Sequence, residues 1–194
     1  MFSVGIFLFD DIELLDFAGP LEVYSVTGQL SENTCHAFTV TQDGKAIRSV
    51  NGLTVVPDYS FSNHPPIDVL VIPGGVGTKA EMGKQAVLEW IAKTHKDAKI
   101  TMSVCSGARL LGKLGLLDGR ECTTHHEVAE HLGEIAPSAI INLNKRFVGD
   151  GRLYTSAGIS AGIDLSLHIV EKLFGNEVMR KTVAYMEYGD WKRD

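Results

Sequence analysis

The chain has 194 residues, 44% of them hydrophobic and 22% charged, with a formal net charge of −6. That length suits one domain, 1–194, with a full core, and the composition fits neither a disordered chain nor a membrane protein. The acidic balance offers no basic patch for nucleic acid, and no apolar run approaches the roughly 18 residues of a membrane span.

Taken in order, residues 4–9 form a near-continuous apolar run, the pattern of a parallel strand covered on both faces. Asp10, Asp11 and Asp16 follow it. Gly19 and Pro20 predict a helix start there, with the helix running through residues 21–26. Residues 36–41 alternate as a second strand. Residues 46–56 hold two short pieces around Asn51-Gly52, a hairpin signal. Residues 68–72 are another buried strand, ending in the turn Pro73-Gly74-Gly75-Val76-Gly77. An amphipathic helix over 86–96 precedes a strand over 100–104 and a helix over 106–113. Residues 115–120 read as a turn, 121–124 as a short strand, and 127–135 as a helix headed by His125 and His126. A hairpin over 147–155 turns at Asp150-Gly151. Helices over 163–174 and 177–188 complete the chain.

Strands alternate with helices throughout, which predicts an α/β fold with a mainly parallel sheet. Such sheets bind ligands at the carboxyl ends of their strands. Residues 9–16, the glycine turn 74–77, Cys105 and His125 all follow strands, so they are expected to meet at one edge.

The cysteines, Cys35, Cys105 and Cys122, form no CxxC pair. Free thiols in a reducing, cytoplasmic compartment are therefore expected. The start of the chain lacks the basic segment of a signal peptide. Cys105 stands between a strand and a helix, with Ser106 and Gly107 just after it. This is the layout of a nucleophile elbow with sulfur in place of the serine oxygen. A helix N-terminus behind the sulfur favours the thiolate, so a charged, solvent-reachable Cys105 is expected, the alternative being a buried structural cysteine. Asp16, in an apolar stretch, is either a helix cap or an acid with a raised pKa beside that sulfur, able to hold and pass a proton. If the glycine turn faces Cys105, the Gly75 and Ser106 N–H groups form an oxyanion hole.

Three other patterns carry less. Gly158-Ile159-Ser160-Ala161-Gly162 matches the serine-hydrolase motif, but only His168 follows it, on the helix that Ser160 itself precedes. It reads as close packing at a helix start. The stretch 77–84 fails as a phosphate loop because Gln85 stands where Ser or Thr is needed. His125, His126 and His131 lack metal-ligand spacing, so no metal is expected.

Val69-Leu70-Val71-Ile72-Pro73-Gly74-Gly75, Val104-Cys105-Ser106-Gly107-Ala108 and Leu116-Leu117-Asp118-Gly119-Arg120 with Thr123-Thr124-His125 together resemble the DJ-1/PfpI superfamily. Leu15-Asp16-Phe17-Ala18-Gly19-Pro20 and residues 155–162 are most similar to the branch holding isonitrile hydratases and the amidotransferase-like domains of AraC-type regulators. The resemblance implies a flavodoxin-like three-layer sandwich, a homodimer and no cofactor. It implies Cys105 as nucleophile, Asp16 as its acidic neighbour, Gly75 and Ser106 as backbone donors, and His125 near the pocket. Ser106 stands where the PfpI-type proteases carry histidine, which argues against a protease triad. No helix-turn-helix follows, so no nucleic-acid partner is expected. The reading that results is a cysteine-dependent hydratase or lyase of a small electrophile, converting an isonitrile to an N-formamide. Two alternatives remain open: a glyoxalase- or deglycase-like enzyme acting on α-oxoaldehydes, and a non-catalytic redox or ligand sensor.

Overall fold

The computed structural model describes residues 1–32 and 34–190. The apolar first run forms β1 (Phe2–Phe7), then α1 (Leu14–Leu30) and β2 (Cys35–Thr41). The Asn51-Gly52 signal is a hairpin of β3 (Ile47–Arg48) and β4 (Thr54–Val55), with Gly52 at φ +85°. The short β5 (Tyr59–Ser60) and the buried β6 (Val69–Ile72) follow. The failed phosphate loop supplies a single turn of helix, α2 (Thr78–Glu81), ahead of α3 (Gln85–Asp97). Then come β7 (Ile100–Ser103), α4 (Ala108–Lys113), β8 (Glu121–Cys122), α5 (Ala129–Ile135) and β9 (Ile140–Ile141). The hairpin β10 (Phe147–Asp150) and β11 (Leu153–Ser156) leads to α6 (Ala161–Phe174) and α7 (Asn176–Tyr185).

Seven strands form one sheet in the order β10-β11-β7-β6-β1-β2-β5, and only the β10–β11 pairing is antiparallel. The chain steps one way from β1 to β2 and the other way from β6 through β7 to β11. Right-handed crossovers therefore place α1 on one face and α3 to α5 on the other. The contacts agree: α1, α6 and α7 pack on one another, and α4 packs on α5. Both faces of the central strands are covered, so Val69, Leu70, Val71 and Ile72 are all fully buried. This is the flavodoxin-like α/β sandwich.

Two expectations need correction. The first helix starts at Leu14, not at Pro20, which lies inside it. Pro20 has no N–H to give to the carbonyl four residues earlier, that of Asp16. The helix start is fixed instead by tertiary contacts: Glu13 N–H donates to Gly74 O at 3.0 Å, and Ile12 bridges to Gly75. Asp16 thus sits in the first helical turn. The second correction concerns residues 106–113, which are not one helix. Cys105–Gly107 is a 3₁₀ turn, and α4 proper begins at Ala108.

The sheet order reverses direction between β1 and β6. At such a switch point the loops after the two strands diverge and leave a crevice at their carboxyl ends. The loop after β1 brings Asp16 there, and the turn after β6 brings Gly74 and Gly75. Cys105 arrives from β7, the next strand over.

Candidate active site

Cys105 leaves the extended backbone of Val104 and takes φ +56°. A side chain in the left-handed region is strained by on the order of 1–3 kcal/mol and persists only when its surroundings over-determine it. Here the Cys105 N–H donates to Ala157 O at 3.2 Å, and Thr124 Oγ1 donates to the Cys105 carbonyl at 2.8 Å. Gly107 makes the tight exit possible: a Cβ at that position would lie 2.1 Å from Ile72 O. This is the backbone geometry of a nucleophile elbow, with sulfur at its tip.

Asp16 is fully buried, and Gly74 N–H donates to its Oδ2 at 2.9 Å. A Cβ on Gly74 would sit 2.7 Å from that oxygen and 2.6 Å from Ser106 N, so glycine is needed for this approach. Oδ1 has no hydrogen bond of normal geometry among the described residues. Burial pushes the carboxyl up from 3.8 to about 7, against the Gly74 N–H, Cys105 and the Ile159 N–H, which favour its charged form. Glu13 adds a smaller push in the same direction as burial.

The thiol departs from expectation. Cys105 is 7% exposed rather than open to solvent. Burial first and the charge of Asp16 second push it up to about 12, against the Ser106 and Ile159 N–H groups. The helix N-terminus does act in the expected direction, but loss of water and a neighbouring carboxylate outweigh it. The two groups form a coupled pair that titrates as a unit. Burial thus favours the protonated form of both the thiol and the carboxyl.

The oxyanion-hole expectation also needs revision. Gly75 N–H donates to Ser106 Oγ at 2.8 Å, and that hydroxyl donates back to Gly75 O at 3.0 Å. The Gly75 donor is therefore occupied. The donors that act on the sulfur are the backbone N–H groups of Ser106 and Ile159. Ile159 lies in the motif set aside as packing, and it sits at φ +53°, an outlier for a β-branched residue. Close packing is present there too, since Gly162 sits directly against Val104. A backbone donor has no side-chain signature; an isoleucine amid four small residues was the only hint. His125 lies against Gly158, and its Nδ1 accepts from Glu127 N–H at 3.3 Å. It therefore flanks the Ile159 turn. Cys35 and Cys122 are buried elsewhere, and burial raises both thiols. The cleft of about 340 Å³ beside β8 and β10 is lined by Leu117, Arg120, Asp150 and Leu153 among others, and includes neither Cys105 nor Asp16.

The DJ-1/PfpI family model matches residues 2–172. The chain belongs to the DJ-1/PfpI family. Among relatives of this DJ-1/PfpI protein, isonitrile hydratase of Pseudomonas putida is 34% identical over 189 residues, which cover 96% of this chain and 78% of that enzyme. The HTH-type transcriptional regulator GbdR of Pseudomonas aeruginosa is 29% identical over 177 residues, 91% of this chain but 48% of the regulator. This chain thus matches only about half of the regulator's length. A crystal structure of a ThiJ/PfpI family protein from Pseudomonas syringae superposes with a TM-score of 0.86 at 28% identity, covering 96% of this chain and 74% of that one. No helix among the described residues is long and apolar enough to cross a membrane.

Proposed function

We propose that this DJ-1/PfpI protein is an isonitrile hydratase-like carbon–nitrogen lyase, a cysteine-dependent enzyme acting on a small uncharged electrophile. The observation that carries the reading is the Cys105–Asp16 pair: a thiol on a strained elbow beside a buried carboxyl raised to about 7. A thiol as weak as Cys105 attacks only if its proton leaves as the new bond forms. Asp16, half-ionised near neutrality, takes that proton as general base. Sulfur bonds to the terminal isonitrile carbon, and Asp16 returns the proton to that same carbon, giving a thioimidate on Cys105. Water then adds to the thioimidate carbon while Asp16 accepts one of its protons. Asp16 passes that proton to the nitrogen, the carbon–sulfur bond breaks as the new hydroxyl gives its proton to sulfur, and the N-formamide leaves.

The Ser106 and Ile159 N–H groups face the sulfur and steady the negative charge that develops there. Ser106 Oγ, locked to Gly75 in both directions, holds the glycine turn over the site. We assign His125 to the pocket wall, where it backs the Ile159 turn. A second copy of the chain is the proposed partner, since Leu15, Val76 and Ile159 around the site stay exposed. A buried thiol with a raised pKa is a poor peroxide sensor, because oxidation concentrates at exposed, low-pKa cysteines. This favours the enzyme over the sensor.

The test is purified protein with an isonitrile, following N-formamide by chromatography. Turnover that falls at least a thousandfold in Cys105→Ala supports the proposal. Equal turnover in that variant overturns it, and methylglyoxal consumption without isonitrile turnover replaces it with the glyoxalase reading.

A further inference from the structure

Arg109 is 94% buried, at 6% exposure, and has no carboxylate within ion-pair distance among the described residues. A buried cation without a countercharge is costly, and it is normally paired or absent. Its hydrogen bonds are to neutral groups. Nε donates to His131 Nδ1 at 3.0 Å, and one terminal nitrogen donates to Thr78 Oγ1 at 3.1 Å. Accepting at Nδ1 fixes His131 as the neutral tautomer with its proton on Nε2. Thr78 Oγ1 in turn donates to Gly75 O at 2.8 Å, in the turn locked to Ser106.

Arg109 stands four residues after Cys105 on a continuous 3₁₀–α path, the spacing that puts two residues on one helix face. The charged groups around this cluster come from three other elements. Asp16, with Glu13 beside it, comes from the start of α1. Neutral His131 comes from α5. Glu81 comes from α2, and it is already paired with Lys84 at 2.7 Å. Glu13 lies beside Asp16, and among the described residues the charge that acts on Arg109 is that of Cys105, the partner of Asp16. Charge on the sulfur does reach the guanidinium, opposing the effect of burial on it.

We propose that Arg109 is a positioning residue whose fixed positive charge offsets the negative charge that the Cys105–Asp16 pair carries once it has lost a proton. It makes the sulfur a better nucleophile without touching substrate, and Thr78 and His131 hold it in place. The inference deepens the hydratase reading and rests on its cysteine–aspartate pair. Its test does not depend on isonitrile chemistry.

The experiment is the rate of iodoacetamide alkylation at Cys105, read by peptide mass so that Cys35 and Cys122 are separated, across pH 6 to 9. Removing a nearby cation makes the thiolate harder to form. Arg109→Met is therefore expected to react about tenfold more slowly at each pH, its profile displaced to higher pH. Arg109→Lys keeps the charge and is expected to stay within about threefold of the parent. The melting temperature of Arg109→Met is expected to hold or rise, because an unpaired buried charge has been replaced by an apolar chain of similar length. Parental alkylation rates in Arg109→Met, or equal slowing in the methionine and lysine variants, overturn the proposal. A lower melting temperature with an unchanged pH profile assigns Arg109 a purely structural tie and overturns it too. Should Arg109→Met fail to fold, Arg109→Gln, which keeps donors for His131 and Thr78, carries the same comparison.

Discussion

Gly74 N–H donates to Asp16 Oδ2 at 2.9 Å, while the other carboxyl oxygen is buried with no hydrogen bond of normal geometry. One satisfied oxygen holds the carboxyl in place. The free oxygen leaves it able to take and give a proton. Burial outweighs that one N–H and keeps the group near neutrality instead of locking it ionised, and this has measurable costs.

The first prediction concerns stability and pH. The folded pKa of Asp16 is raised from 3.8 to about 7. Between those values the folded state binds a proton that the unfolded state does not, so the group penalises folding most above pH 7. The penalty fades as pH falls toward 4. Asp16→Asn keeps an acceptor for Gly74 and removes the penalty. Chemical denaturation at pH 8 is expected to show a gain of up to about 4 kcal/mol, with the two proteins converging near pH 4. A variant less stable than the parent at pH 8 would mean that the carboxylate is held by partners rather than strained by burial.

The second prediction addresses the elbow. Gly107→Ala places a methyl 2.1 Å from the Ile72 carbonyl, a backbone atom at the end of a central strand. The clash cannot be relieved by a rotamer change. A loss of roughly 1–3 kcal/mol, or failure to express, is expected, with Cys105 displaced in any protein recovered. A thermal shift assay decides it. An unperturbed melting temperature would show that the turn can move.

The third prediction concerns Ile159. At φ +53° it pays a steric cost that glycine would not. Ile159→Gly is expected to raise stability by roughly 1 kcal/mol, while a looser turn places its N–H less well on the sulfur and lowers turnover several-fold. Stability and activity are thus expected to move in opposite directions. If both fall, the exposed side chain matters more than the backbone.

How much of this was legible beforehand differs residue by residue. β6 and β7 announced themselves, because apolar runs bounded by Pro73-Gly74 and by Cys105-Ser106-Gly107 have few other readings. The pairing of Asp16 with Cys105 followed from both lying after strands of one parallel sheet. The start of α1 did not, since Gly19-Pro20 is ordinary start punctuation and only contacts from Glu13 and Ile12 to the glycine turn moved it back to Leu14. The thiol differs from expectation for an energetic reason: a helix N-terminus can be seen in a sequence, whereas the depth of burial that outweighs it depends on packing from every side. Gly75 was expected to offer a free donor, and local chemistry could not reveal that the Ser106 hydroxyl takes it. Ile159 leaves no trace in the sequence because what it contributes is a main-chain N–H, which any residue type could supply.

The measurement that bears most directly on the account is intact and peptide mass spectrometry of the protein caught within the first turnovers of an isonitrile. The account predicts a transient adduct on Cys105 equal in mass to the isonitrile, decaying as N-formamide appears and missing in Cys105→Ala. Formamide produced at full rate with no adduct on that cysteine at any time would contradict it.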